Sequence, residues 1–484
     1  MNSKNRQRAD VNASALEKVR PSGEQRASLR SIIIAVSTAQ FLLPFMMSGV
    51  SPLLPAIGAD LHASAMELGL VGAVYSLSLS IFHLIAGRIG DMKGRRKLFL
   101  IGLAIFIIMS VVTPLSPTMT LFLVCRFVQA VGTAMMNTSA LAILIASSPP
   151  AMRGRVLGIS SVGLFAGISC GPAIGGVIGS TLGWPYLFFC VVPLGIVAWL
   201  LMAFTVKGDW TSNPDQPFDW KGAVLYSLGI CGISLGATWI ALNLWGLGLL
   251  LVGFVFIALF IKAELRLSYP ILDVRFIVHN STFVANILVL FLVNCYSFGL
   301  LFYYSLYLQG IQHLSVLHTG LVLSVQPGVQ LLFSPWAGKL ADRHGATRIA
   351  LLGLLLGGVG LFMAARLNAG SALWEVPLAQ VWVGAGLAFF AAPNTSAIMG
   401  SVDLAHLSQA SGLLGTIRTM GMLSSMVIVS VSMNRYLGLE SLNPGNTVAF
   451  LEAMHMNISL FSLLNILGIL LSFWQLHHSR GRQS

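Results

Sequence analysis

Charged side chains are scarce in this chain. Lys, Arg, Asp and Glu make up 9% of its 484 residues, whereas apolar residues make up 56%. An average soluble domain carries about 25% charged residues, which help to cover its surface. A soluble protein with so few charges could not cover itself with polar groups. We therefore predict that lipid surrounds most of the chain and that it folds as one multi-helix bundle.

Several kinds of site are also missing from the sequence. The five cysteines lie inside apolar runs, without the spacing of a disulfide framework or a metal site. No Gly-Lys-Ser/Thr phosphate loop occurs, which disfavours ATP-driven transport. The ten histidines are scattered, whereas a membrane enzyme needs clustered His, Cys or carboxylates facing a cavity. We expect no metal, no cofactor, no nucleic-acid partner and no enzymatic activity.

Long apolar runs dominate the sequence instead. Runs of at least about 18 residues are long enough to cross a bilayer as helices. Short links such as 242–245 are where the number of spans is hardest to read. Fourteen spans are predicted, at residues 31–55, 66–87, 97–115, 120–146, 156–180, 186–206, 220–242, 246–263, 283–308, 317–339, 347–366, 374–399, 409–433 and 454–476.

The basic residues indicate an orientation. With the N-terminus in the cytoplasm, 24 of the 28 Lys and Arg residues fall on cytoplasmic segments. Only Arg366 and Arg435 fall outside, and Arg126 and Arg418 lie within spans. Positive charge is retained on the cytoplasmic side of membrane proteins. We predict a multi-pass protein of the cell (inner) membrane, with both termini cytoplasmic.

Two cytoplasmic loops repeat the same pattern. The loop between spans 2 and 3 has Gly87, Asp91, Gly94 and Arg95, followed by Lys97. The loop between spans 10 and 11 matches it 251 residues later. Glycine permits a tight turn, and Asp91 is expected to accept from the backbone N–H groups that open the next helix. The matching positions in the second loop are Gly338, Asp342, Gly345 and Arg348.

Spans 4 and 5 carry further motifs. Span 4 contains Arg126, then Gln129 and Gly132, in an Arg-x-x-Gln-Ala-x-Gly sequence. Gly-Pro in a helix removes a backbone hydrogen bond and forces a bend, and glycine at every fourth residue leaves one bare face for close packing. Span 5 has this pattern at Gly163, Gly167, Gly171, Pro172, Gly175 and Gly176.

Together these loops and motifs resemble those of the major facilitator superfamily. Phe218-Asp219-Trp220-Lys-Gly222, Tyr307-Leu-Gln309, Pro327 and the glycines around Arg418 are similar to its fourteen-helix drug:proton antiporters. The resemblance implies an all-α fold of two six-helix halves with two inserted helices. The implied boundaries are a disordered tail at 1–30, halves at 31–206 and 282–476, the inserted pair and its loops at 207–281, and a tail at 477–484.

The resemblance also implies a function. It favours a secondary active exporter of small amphiphilic molecules that works by alternating access about a site near the membrane midplane. The implied partners are a small-molecule substrate, a proton as coupling ion and membrane lipid, and a monomer is expected. An importer or facilitator of a neutral or anionic metabolite remains an alternative, and a membrane enzyme is a more remote one.

The sequence departs from the antiporter family in its carboxylates. Members usually place an Asp in span 1 shortly before a proline, but Met46 holds that place here. None of the sixteen carboxylates is predicted at mid-membrane, where the buried charges are Arg126 and Arg418. Each arginine could brace helices through Gln129 or backbone carbonyls, or could make the cavity electropositive. The second reading favours neutral, amphiphilic or anionic substrates. His83 is read as an interface histidine rather than a proton carrier.

The cavity itself is expected between the halves. Polar and aromatic residues on the spans that face the repeat axis are its candidates. Each could instead bond only a neighbouring helix. The candidates are Gln40, Ser48 and Ser51 in span 1, Asn137 in span 4, Asn286, Asn294 and Tyr296 in span 9, Gln326 and Gln330 in span 10, and Asn394 in span 12.

Overall fold

The computed structural model describes most of the chain. It covers residues 29–148, 153–206, 208–211, 217–239, 244–267, 270–272, 280–402, 407–438 and 444–480. The predicted tail 1–30 falls almost wholly outside the described residues. Residues 481–484 of the tail predicted at 477–484 also lie outside the described residues.

Fourteen helical spans are present in the described part, each long and apolar enough to cross a membrane. The predicted number of spans is therefore confirmed, and we number the spans as above. Their helices are Leu29–Val50 with Leu54–Asp60, Ala65–Lys93, Arg95–Val112, Met119–Ser147, Arg153–Thr181, Pro185–Thr205, Trp220–Trp239, Leu244–Glu264, Ser281–Gly310, Val316–Leu323 with Val325–His344, Ala346–Ala364, Glu375–Gly400, Leu407–Leu437 and Thr447–Arg480.

The ends of the spans follow from local chemistry. Span 2 begins with a capping box, in which Ser64 and Glu67 satisfy each other's backbone N–H groups. Span 2 ends at Gly94 and span 10 at Gly345, whose φ angles are 107° and 92°. Only glycine adopts such angles without steric cost, which explains why both loops have glycine at this position.

The two halves repeat one packing scheme. Spans 1 and 5, 2 and 4, 3 and 4, 1 and 6, and 3 and 6 pack together in the first half. The same pairs, eight spans later, pack together in the second half. The approach of Gly102 to the backbone of Gly132 is matched by that of Gly353 to Gly386. The fold is thus two equivalent six-helix halves.

The inserted pair, spans 7 and 8, lies to one side of the halves. The two helices pack closely on each other, and span 7 also contacts spans 2 and 13. The hydroxyl of Tyr226 in span 7 donates to the carbonyl of Ser80, 2.8 Å away. Span 8 exposes a row of large apolar side chains, including Leu251, Phe254 and Val255. Such a surface is suited to lipid.

An even number of spans places the start of span 1 and the end of span 14 on one face. We call the face that holds Leu29, Gly94, Gly345 and Arg480 the terminal face, and the opposite one the far face.

Candidate functional site

The glycine face of span 5 packs on span 1. A Cβ on Gly163, Gly167, Gly171 or Gly175 would come within 3 Å of span 1 atoms, and in three of the four cases the nearest atom is a backbone carbonyl oxygen. At Gly171 the nearest atom is the hydroxyl of Ser48, which also donates to the carbonyl of Pro44. Side chains larger than hydrogen would therefore force these two helices apart.

The Gly-Pro segment of span 5 also contacts the second half. A Cβ on Gly320 in span 10 would collide with the carbonyl of Pro172, and one on Gly176 would approach the carbonyl of Val316. Nearer mid-membrane, the hydroxyl of Ser169 donates to the carbonyl of Pro327, 3.1 Å away. The motif predicted from the sequence thus lies where the two halves meet.

Spans 1 and 9 add further contacts between the halves, near the far face. The hydroxyl of Ser305 donates to the carbonyl of Ser51, and the amide of Gln309 donates to the carbonyl of Pro52 at 2.9 Å. Ser51 therefore acts here through its backbone. These contacts hold the halves together between the far face and mid-membrane.

Arg126 is held inside the first half. It is 2% exposed, and its guanidinium donates to the side-chain carbonyl of Gln129 at 2.6 Å. The amide of Gln129 donates in turn to Ser110 in span 3 at 2.8 Å. The guanidinium also lies over the ring of Tyr75 in span 2, 4.2 Å from its centre. Of the two roles considered for Arg126, this arrangement corresponds to bracing of helices through Gln129. It joins spans 2, 3 and 4.

Arg418 has different surroundings. It is partly exposed and, within the described ranges, makes no hydrogen bond or ion pair. On the same helical face, a Cβ on Gly415 would lie 2.8 Å from Nε2 of His83 in span 2. His83 does lie at an interface, and it is the interface between the halves.

The loop after span 2 is tightly bonded, although not as expected. Asp91 accepts from the guanidinium of Arg95, at 2.6 Å between their nearest atoms, and accepts no backbone N–H at the start of span 3. The prediction that Asp91 caps span 3 is therefore wrong. Asp209, on the link between spans 6 and 7, accepts from the backbone N–H groups of Arg96 and Lys97 at 2.7 and 3.1 Å. Because its carboxylate pairs with Arg95, Asp91 is not available to cap span 3.

The matching loop after span 10 is looser. Apart from adjoining backbone, no described residue comes within 4 Å of the position that a Cβ would take on Gly338 or Gly345. Asp342 and Arg348 make no hydrogen bond or ion pair with the residues that the structure describes. In the part of the chain that the structure describes, the first repeated loop is bonded to a neighbouring segment and the second is not.

Several predicted cavity residues use their side chains within their own half. Asn286 donates to Thr282, Asn294 to Leu290, and Asn394 to the carbonyl of Asn286. The hydroxyl of Tyr296 lies 3.2 Å from the place of a Cβ on Gly357, in span 11. These groups therefore bond or contact neighbouring turns and helices of the second half.

Other candidates keep polar groups available. The side chains of Gln40, Asn137 and Gln330 bond no group among the described residues. Gln326 is 9% exposed, and its side-chain oxygen has no partner in that same part of the chain. Together with Arg418, these are the groups that a bound molecule could use. Arg418 supplies one positive charge, and the other four side chains supply neutral amide groups.

Known proteins share this architecture. The model of the Major Facilitator Superfamily matches residues 36–426 and 287–483. The chain belongs to this superfamily. It is similar to the riboflavin transporter RibZ of Clostridioides difficile, with 27% identity over 86% of this chain and 91% of RibZ. It also resembles the tetracenomycin C resistance and export protein of Streptomyces glaucescens, with 28% identity over 84% and 76% of the two chains.

Solved structures of the superfamily agree in fold. The inward-facing, occupied structure of a bacterial homologue of the human lysosomal transporter Spinster has a TM-score of 0.62 at 16% identity. The comparison covers 94% of this chain and 97% of that one. The fold expected from the sequence, a fourteen-helix member of the superfamily, is confirmed.

Sequence reasoning missed several residues of the site. Tyr75, Ser110 and Asp209 were not singled out, yet they bond or contact residues that were. A buried polar cluster of Tyr303, Ser432 and Asn457 joins spans 9, 13 and 14. A tyrosine or serine in an apolar run has no distinctive spacing, so only its neighbours in three dimensions reveal it.

Proposed function

We propose that this transporter exports small amphiphilic molecules, neutral or anionic, by alternating access. One observation carries the proposal. Arg418 lies at the interface between the halves, and no carboxylate among the described residues neutralises it. An uncompensated positive charge at this interface favours anions and electron-rich neutral groups, and disfavours cations.

The direction of transport rests on the relatives and on span 5. The Streptomyces relative is an export protein by name, and a drug efflux pump of Mycobacterium tuberculosis, JefA, is 27% identical to this chain. The Gly-Pro segment of the exporter branch lies in contact with span 10. Bending at Pro172 gives the halves a place to separate and rejoin.

We further propose that the terminal face is cytoplasmic and that a proton gradient drives export. The terminal-face loops hold most of the described lysines and arginines, as positive charge retained in the cytoplasm would require. Proton coupling follows the resemblance to antiporters. A facilitator without coupling is favoured by one specific observation, the absence of a carboxylate from the middle of the spans in the described ranges.

Purified protein in proteoliposomes tests the proposal. A pH gradient is imposed, and movement of an anionic, a neutral and a permanently cationic lipophilic dye is followed together with internal pH. We expect anionic and neutral dyes to move against their gradients while protons move the other way. Preference for the cationic dye would overturn the substrate class. Transport that ignores the pH gradient would favour the facilitator.

A further inference from the structure

A groove of about 720 Å³ lies between the first half and the inserted pair, at the terminal face. Its walls come from spans 2, 3, 4 and 7. Val224 and Leu228 of span 7 and Ile101 of span 3 are 53%, 46% and 43% exposed, so the groove is open along its side. It does not include Arg418 or the predicted cavity residues.

The groove is apolar along its length and basic at its mouth. Phe82, Ile85 and Ile89 form part of its floor, and Lys93 and Lys97 stand at the end nearest the terminal face. Trp220, 69% exposed, lies at the same end. Tryptophan is enriched at the level of lipid headgroups. The lining therefore changes from apolar on the floor to cationic at the end nearest the terminal face.

The two lysines are uncommitted within the described part of the chain. Asp91, the nearest carboxylate on span 2, pairs with Arg95. Asp209 accepts from backbone N–H groups, and neither Lys93 nor Lys97 forms an ion pair with the described carboxylates. Both ammonium groups are exposed. An anion at the mouth of the groove would meet these two positive charges. The carboxylate of Asp209 lies beside Gly94 at the same end, where it is bound by the backbone N–H groups of Arg96 and Lys97.

The depth of the groove matches one leaflet. From Lys93 to Phe82 span 2 advances eleven residues, or about 16 Å at 1.5 Å per residue. Half of a bilayer's hydrocarbon core is about 15 Å. A soluble anion would leave the apolar floor unused, and a neutral lipophile would leave the lysines unused.

We propose that this groove binds an anionic phospholipid from the leaflet at the terminal face. Its phosphate lies between Lys93 and Lys97, and an acyl chain runs along span 2 toward Phe82. The headgroup then lies beside Gly94, in the loop that joins spans 2 and 3. The bound lipid then fills the gap between the inserted pair and the first half.

Quenching of Trp220 by brominated lipids tests this site. The full chain is placed in phosphatidylcholine vesicles that contain phosphatidylglycerol brominated on its acyl chains. The signal of Trp220 is the difference between the unsubstituted protein and Trp220→Phe. We expect half-maximal quenching at a mole fraction about tenfold lower than with brominated phosphatidylcholine, since basic residues at the headgroup level attract anionic lipid.

Matched variants separate charge from folding. Lys93→Gln with Lys97→Gln should shift quenching to the phosphatidylcholine curve, whereas Lys93→Arg with Lys97→Arg should retain the preference. Lys262→Gln with Lys339→Gln removes two exposed charges elsewhere and should change nothing. Equal quenching by the two lipids, or the same loss in both Gln variants, would overturn the proposal. So would displacement by inorganic phosphate or by a lipophilic dye but not by unbrominated phosphatidylglycerol.

Discussion

The guanidinium of Arg126 lies 4.2 Å from the centre of the Tyr75 ring, inside the first half of the protein. The charge is therefore stabilised by an aromatic face and by the amide of Gln129, and no carboxylate among the described residues pairs with it. Cation–π contacts are strongest where water is excluded. The contact explains how an arginine can be 2% exposed in a membrane-spanning helix.

Two substitutions at Tyr75 separate its ring from its hydroxyl. Tyr75→Phe loses only the hydrogen bond to Thr133, 2.9 Å long, and should cost about 1 kcal/mol. Tyr75→Leu also removes the aromatic face and should cost a further ~1–2 kcal/mol. The midpoint of thermal unfolding in detergent measures both. Equal midpoints for the two variants would show that the ring contributes nothing.

Arg418 should control which substrates are accepted. Arg418→Gln removes the positive charge, and we expect the ratio of anionic to cationic dye transport to fall about tenfold, the effect of ~1.4 kcal/mol. Arg418→Lys keeps the charge and should retain most of the preference. Rates in proteoliposomes provide the measurement. An unchanged ratio in Arg418→Gln would place the selectivity elsewhere.

Gly171 should tolerate no side chain. Gly171→Ala places a Cβ against Ser48 and the carbonyl of Phe45, and overpacking of this kind costs about 1–3 kcal/mol. We expect a lower unfolding midpoint and a large loss of transport. Gly328→Ala is the matched control, since apart from the adjoining backbone of span 10 no described residue comes within 4 Å of a Cβ at that position. Similar losses in both variants would contradict a packing role for Gly171.

His83 is expected to be dispensable for proton coupling. Its ring packs against Gly415, and no carboxylate among the described residues accepts a proton from it. His83→Ala should slow transport by altering the interface, yet leave the ratio of protons to substrate unchanged. Simultaneous recording of internal pH and dye flux decides the matter. Loss of pH-driven transport with retained downhill flux would make His83 the proton carrier.

The first repeated loop should depend on an acid from the link between spans 6 and 7, whereas the second should not depend on its own acid. Asp209→Ala removes the cap of span 3 and should cost about 1 kcal/mol. Asp342→Ala should have little effect on stability, because Asp342 bonds no other described group. Unfolding midpoints compare them, with Asp209→Asn as a variant that keeps an acceptor. A larger effect at Asp342 would contradict the observed difference.

The sequence predicted the scaffold well because its signals are local. Hydropathy located all fourteen spans, and the glycines at 94 and 345 marked turns whose backbone angles require them. Asp91 was misassigned because its competitor, Asp209, lies 118 positions away and becomes a neighbour only after folding. Tyr296 points toward Gly357 in span 11 because of how span 9 is rotated about its axis. The sequence of span 9 is apolar on all sides, so it does not reveal this rotation.

The paired glycine contacts set a register between the halves. Arg126 precedes Gly132 by six residues, and Gln380 precedes Gly386 by six. Tyr75 precedes Gly102 by 27 residues, and Gln326 precedes Gly353 by 27. The side-chain oxygen of Gln380 accepts from the backbone N–H of Gln326 at 3.3 Å, so two amides stand where the other copy has arginine and tyrosine. At matching positions one half thus carries a buried charge that the other half does without, so each half can serve as an internal reference for experiments on the other.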